Sequence, residues 1–103
     1  MNQVVTFQGR LDVHTVPAAR ERLSRALTTG TGDLVVDLSA VDSVDAAGVG
    51  VLVAAADRAP MYGRRVVLRA VPPRLARLMR MTRLTQVLTV ESAAPRPGGV
   101  AAA

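Results

Sequence analysis

Two carboxylates and a turn of small residues are the groups in this chain best placed to act. Asp12 lies in Gly9-Arg10-Leu11-Asp12-Val13-His14-Thr15, and Asp45 opens Asp45-Ala46-Ala47-Gly48. A short polar side chain just before an apolar periodic run accepts hydrogen bonds from the free N–H groups of a helix start, so Thr15 and Asp45 are read as N-caps. Little else suits catalysis. His14 is the only histidine, and no serine or carboxylate is spaced to make a triad or a metal site with it. Cysteine is absent, which excludes disulfides, thiolate metal sites and cysteine nucleophiles. No GxxxxGK loop is present to cradle a nucleotide. The expectation is a protein that binds rather than catalyses, with no metal and no cofactor.

The charge is one-sided. The 103 residues carry a net +5, and all 13 basic residues are arginine. Residues 1–57 hold four arginines against seven acids, whereas residues 58–90 hold eight arginines and no acid. Such a field steers acidic partners or nucleic acid, or is simply a solvated surface. Arg74, Arg77, Arg80 and Arg83 advance by three, which on a helix wraps around the axis rather than forming a stripe. With only Phe7 and Tyr62 as aromatics, no stacking platform for single-stranded nucleic acid exists, and no nucleic-acid partner is expected. The longest apolar run, Val49 to Ala56, is interrupted by Gly50 and stopped by Asp57, too short to span a bilayer. No basic-then-apolar leader opens the chain, so a cytoplasmic protein is expected.

The elements that must position these residues follow from periodicity. Residues 3–9 read as a strand. A helix over 16–28 has Pro17 in its first turn and places Ala19, Leu23, Ala26 and Leu27 on one face, with Arg20, Glu21, Arg22 and Arg25 outside it. Leu34–Leu38 has little alternation, as in a central strand covered on both sides. Ser39–Ser43 reads as a loop. A nearly all-apolar helix over 46–58 follows, then a strand at 65–70. A helix over 73–82 faces the core with Leu75, Leu78 and Met79, and a short strand covers 86–90. The order β-α-β-α-β-α-β predicts an α/β layer sandwich on a mainly parallel four-stranded sheet, one domain over residues 1–91. Residues 92–103, rich in Ala, Pro and Gly, read as a disordered tail. Ligands of such sheets sit beyond the carboxyl ends of the strands, where the Asp45 turn lies.

Three motifs in order carry a resemblance. Gly9–Thr15, the strand Leu34-Val35-Val36-Asp37-Leu38-Ser39-Ala40-Val41 and the turn Val44-Asp45-Ala46-Ala47-Gly48-Val49-Gly50-Val51-Leu52 resemble the STAS domain of bacterial anti-sigma factor antagonists (anti-anti-sigma factors). Val71–Leu78 also fits, and the match runs over residues 3–90. The resemblance implies a module that binds an anti-sigma factor of kinase fold, by a surface made of Asp12, Thr15, Ser43, Asp45, Ala46, Ala47 and Gly48. It also implies that the partner phosphorylates a hydroxyl at the second position after Asp45. That position is Ala47, and Ala46 precedes it, so no phosphate can form there. Ser43 and Ser39 lie close by, off the matched position. A family strand expected before residue 3 has no room here, which leaves a sheet edge for a homodimer or another partner to cover.

These residues admit two functional readings. One is an antagonist-like regulatory module that binds without a switch at Ala47. The other is an accessory STAS subunit of a transporter ATPase or another complex. Asp45 is either a partner contact or a plain N-cap, and Asp12 either a contact or a loop acid.

Overall fold

Alternation sets the first strand. β1 (Gln3–Leu11) buries Val5, Phe7 and Leu11 and exposes Val4, Thr6, Gln8 and Arg10 between them. The computed structural model describes residues 2–84 and 88–91. Within them, β2 (Leu34–Val44), β3 (Val66–Arg69) and β4 (Thr89–Val90) join β1 in one sheet, ordered β1-β2-β3-β4 and parallel throughout. Three helices connect them: α1 (Val16–Thr29), α2 (Ala46–Arg58) and α3 (Pro73–Met81). A 3-10 turn, Ala59–Tyr62, follows α2. No described helix is long and apolar enough to cross a membrane.

All three helices pack on one face of the sheet. Leu23 and Leu27 of α1, Leu52 of α2 and Met79 of α3 join one cluster with the strand residues Val5, Phe7, Val36 and Leu68. Val35 and Val67 are buried but stand outside that cluster. They alternate with its members, so they lie on the opposite face, in one row with Val4 and Thr89. Ion pairs border this row, Arg65–Asp33 at 2.8 Å on one side and Arg69–Glu91 at 3.1 Å on the other.

The helix over 16–28, its buried face and the helix over 46–58 are as the periodicity predicts. Three expectations need correction. Ser39–Ser43 is not a loop but the second half of β2, paired with Gln8–Leu11. There β2 is buried only at Leu38 and Val41, so its polar residues face water, and the segment loses the apolar continuity of a central strand. Two register shifts, between Thr6 and Gln8 and between Gly9 and Arg10, accommodate the pairing. Gly9 supports the irregularity with φ of 75°, a conformation costly to residues with a Cβ. Leu78 does not join the core. It is 40% exposed, because the stripe of α3 runs through Leu75 and Met79 four residues apart. Thr15 sits at the N-cap position of α1 but makes no side-chain bond to the helix. The strand expected at 86–90 is present at Thr89–Val90, while residues 85–87 lie outside the described residues, as does the tail expected at 92–103.

The amino edge of the sheet is tied by one buried charge. Arg64 is 6% exposed. Its Nη1 donates to the carbonyls of Ala26 (2.6 Å) and Leu27 (3.2 Å), at the end of α1 where helix carbonyls lack partners. Its Nε donates to Gly32 O, and its Nη2 to Thr31 O and to Gln3 Oε1. One guanidinium therefore closes α1, holds the α1–β2 connection and reaches β1. Replacing it with alanine orphans several buried acceptors at once. Arg64→Ala is expected to cost about 3 kcal/mol in urea unfolding, and Arg64→Lys to recover less than half, because an ammonium cannot span the fork of acceptors.

Candidate functional site

The carboxyl edge of the sheet brings two loops together. β1 ends at Leu11 and β2 at Val44, and Leu11 pairs with Val44 in register. The loop after β1 and the turn after β2 therefore leave the sheet side by side. Asp45 is the joint between them. Its Oδ1 accepts from Gly48 N at 2.9 Å, capping α2 as the sequence predicts. Its Oδ2 accepts from Val13 N at 3.3 Å, and its own N–H donates to Leu11 O at 3.2 Å. One residue thus caps its own helix and holds the neighbouring loop.

Gly48 completes the joint. Its Cα lies against the Leu11 carbonyl, and a Cβ at this position would fall inside the radius of that oxygen and crowd Val44. Neither obstacle is the free end of a flexible side chain, so only glycine lets the first turn of α2 approach so closely.

Asp12 organises the other loop. Its Oδ1 accepts from the N–H groups of His14 (2.9 Å) and Thr15 (3.3 Å), an Asx turn, and Oδ2 lies 3.5 Å from Arg10 Nε. Thr15 Oγ1 accepts from Asp12 N and donates to Arg10 O, both at 2.9 Å. The hydroxyl that the sequence assigned to capping is therefore used to close the loop. His14 is exposed, and no group of three or more potential metal ligands occurs among the described residues.

The sites predicted from sequence converge here. Asp12, Thr15, Asp45 and Gly48 form one hydrogen-bonded or close-packed unit. Ala46 is exposed, Ala47 is half-buried against the core, and Val13 is 62% exposed beside them. Ser39 is taken up elsewhere, since its N–H donates to Asp37 Oδ1 at 2.8 Å. The Ser39 hydroxyl and amide hold the Asp37 carboxyl below its ordinary value. Ser43 is exposed and lines a cleft of about 420 Å³ that sequence reasoning missed. Asp42 and Val44 share one wall of that cleft; Pro72, Arg74 and Leu78 form part of the other. The available signal was that β2 and β3 are parallel and end at the same edge, so Val71-Pro72-Pro73 must open α3 next to the end of β2.

The family model described as "Mlab, STAS domain" matches residues 2–90. The anti-sigma-B factor antagonist of Staphylococcus aureus (strain NCTC 8325 / PS 47) is 32% identical over 86 residues, covering 84% of this chain and 80% of that protein. An anti-sigma factor antagonist from Mycobacterium paratuberculosis superposes with a TM-score of 0.78 at 24% identity, over 89% of this chain and 78% of that one. The unphosphorylated form of the anti-sigma factor antagonist SpoIIAA superposes with a TM-score of 0.67 at 21% identity, over 90% and 81% of the two chains. The latter two likenesses concern the fold.

Two outcomes test the joint. Gly48→Ala forces the two loops apart and is expected to cost about 2 kcal/mol in chemical unfolding, whereas Gly50→Ala, with open space at its Cβ, is expected to cost nothing. The Asp45 carboxyl is held below its ordinary value of 3.8, chiefly by the Gly48 amide, with desolvation opposing and the Val13 amide adding a smaller lowering effect. A carboxyl depressed on folding stabilises the fold above its unfolded value and loses that contribution as pH falls through the folded value. The stability difference between wild type and Asp45→Asn should thus be constant above about pH 5 and shrink below about pH 4, as urea midpoints across pH will show.

Proposed function

The chain belongs to the STAS-domain family of anti-sigma factor antagonists, and from that premise we propose that it is a non-catalytic regulatory module that binds an anti-sigma factor of kinase fold. The binding surface is the joined pair of loops: Asp12, Val13 and Thr15 on one side, and Ser43, Asp45, Ala46, Ala47 and Gly48 on the other. One observation carries this reading. Asp45 and Gly48 join the two family-matched loops into one unit, exposed at Val13, Ser43, Asp45 and Ala46 and small at residues 46–48. Such a surface docks closely, because its small residues lose little side-chain entropy on contact.

Position 47 decides how binding is regulated. A hydroxyl there would stand in the first turn of α2, where free N–H groups favour a phosphate. The added charge of roughly −2 would sit at the centre of the docking surface and oppose contact. Ala47 offers no acceptor, so binding is constitutive and set by the amounts of the two proteins. The site is cytoplasmic in this reading, as a regulator of sigma factors requires.

The missing hydroxyl also favours a second reading, an accessory subunit of a transporter ATPase that never needed the switch. It uses the same surface on a different partner, and copurification of an ATPase subunit instead of a kinase-fold protein would identify it.

Titration calorimetry with purified kinase-fold anti-sigma factors tests the first reading. Wild type is expected to bind equally with and without ATP, and Asp45→Arg to bind at least about tenfold more weakly. Ala47→Ser is expected to bind, become phosphorylated in the presence of ATP and then dissociate. Binding that ignores Asp45→Arg places the partner elsewhere and overturns the proposal.

A further inference from the structure

A second surface, on a different side of the molecule, carries its own chemistry. β1 is the edge strand of the described sheet. Gln3 N donates inward to Asp33 O, so by strand alternation Val4 and Thr6 turn their backbone groups to the free edge. α1 runs beside that edge, and the two enclose a groove. It contains clefts of about 170 and 260 Å³ that share Arg22 as a common wall. The first reaches along Phe7 to Arg10, the second along Val5 to Arg25. The floor is apolar, and the cationic side chains are spaced along the length of the strand.

Arg22 marks how the edge is held. Its guanidinium lies over the Phe7 ring, 4.6 Å from the centroid, and Nη2 donates to the outward carbonyl of Thr6 at 2.9 Å. This uses one of the five N–H donors of a residue that lines both clefts. Among the described residues, Arg25 pairs with the exposed Glu21 at 3.4 Å, a contact worth little in water, and the exposed Arg10 lies 3.5 Å from the mostly buried Asp12.

We propose that the groove between β1 and α1 binds an acidic, extended segment of a partner protein. The segment adds to β1 as a further strand and places its carboxylates on Arg22 and Arg25 of α1. Because side chains alternate, the acids take every second position on the α1 side. The intervening residues face the other side of the sheet, where Val4 is 50% exposed, and are apolar. Charge decides against the other occupants. In a second copy, β1 brings Arg10 and no acid, and antiparallel pairing would oppose the two sets of α1 arginines. Residues 92–103 of the same chain carry Arg96, two prolines and no acid.

The test uses the whole chain and a fluorescent, acetylated heptapeptide alternating Glu with Val or Thr, read by anisotropy. Saturable binding is expected. It should weaken at least about tenfold with Arg22→Glu or Arg25→Glu, and as much when Lys replaces Glu in the peptide. Methylating alternate peptide nitrogens, which blocks strand pairing without altering the protein, should abolish it. Absence of binding at millimolar peptide, equal binding of the lysine peptide, or full binding of the N-methylated peptide would each overturn the proposal. So would a dimer, seen by sedimentation, that Thr6→Pro disperses and the peptide does not displace.

Discussion

The contact between Gly48 and the Leu11 carbonyl is the constraint on which the working end of this molecule depends. A parallel βαβ unit delivers two connections to the same edge of the sheet, but nothing in the topology makes them touch. Here the first turn of α2 is lowered onto the end of β1 because residue 48 has no side chain. The lowered turn puts Asp45 where one carboxylate can satisfy Gly48 N and Val13 N together, and its amide can reach Leu11 O. Remove the close approach and the hydrogen bonds lengthen together, since all of them share one residue. The flat, small-residue centre of the surface follows from the same requirement: Ala46, Ala47 and Gly48 are what a tightly seated helix start can hold.

The opposite edge of the sheet solves a different problem. α1 ends at Gly30 with its last carbonyls turned inward, and the connection to β2 passes through Thr31 and Gly32. Burying those acceptors requires donors, and Arg64 supplies them from the far side of β2. The two edges therefore have complementary roles. The amino edge is fastened by a buried cation, and the carboxyl edge is held by backbone hydrogen bonds to the carboxylates of Asp12 and Asp45. The docking surface proposed at the carboxyl edge has to stay solvated until a partner arrives, and the firmer fastening lies at the other end.

Local patterns were legible in the sequence, and long-range ones were not. The spacing of Ala19, Leu23, Ala26 and Leu27 identifies the buried face of α1 because a helix repeats every few residues whatever surrounds it. Asp45 before an apolar run identifies the cap for the same reason. Ser39–Ser43 misled because strand signals come from neighbours. The latter half of β2 is covered on one side only, and its polar residues are those of a half-wet strand rather than a loop. Leu78 misled because apolar type was taken for burial; at 40% exposure it lines the cleft beside Ser43. Arg64 gave no local sign at all. Among the arginines of the described residues nothing but the meeting of α1, β2 and β1 distinguishes the one that is buried. Within the carboxyl-edge site, the residue types and their order were readable, whereas the Val13–Asp45 bond that fuses the loops joins positions too far apart for any sequence period.

Arg10 is where the two surfaces meet. Its side chain lines the β1–α1 groove and also lies 3.5 Å from Asp12, a member of the carboxyl-edge site. Coupling would follow if drawing Arg10 into the groove dismantled the loop that Asp12 organises. It would not. The Asx turn rests on Asp12 Oδ1, whereas Arg10 approaches Oδ2. The closing hydroxyl of Thr15 bonds the Arg10 carbonyl, which stays in place when the side chain swings. Moving the guanidinium therefore changes the charge beside Asp12 and leaves the loop geometry intact. Communication between the surfaces is then electrostatic alone, carried by one ion pair at 3.5 Å whose arginine is exposed and open to screening by salt. Two partners could occupy this small sheet together, one at its carboxyl edge and one along β1, each nearly indifferent to the other.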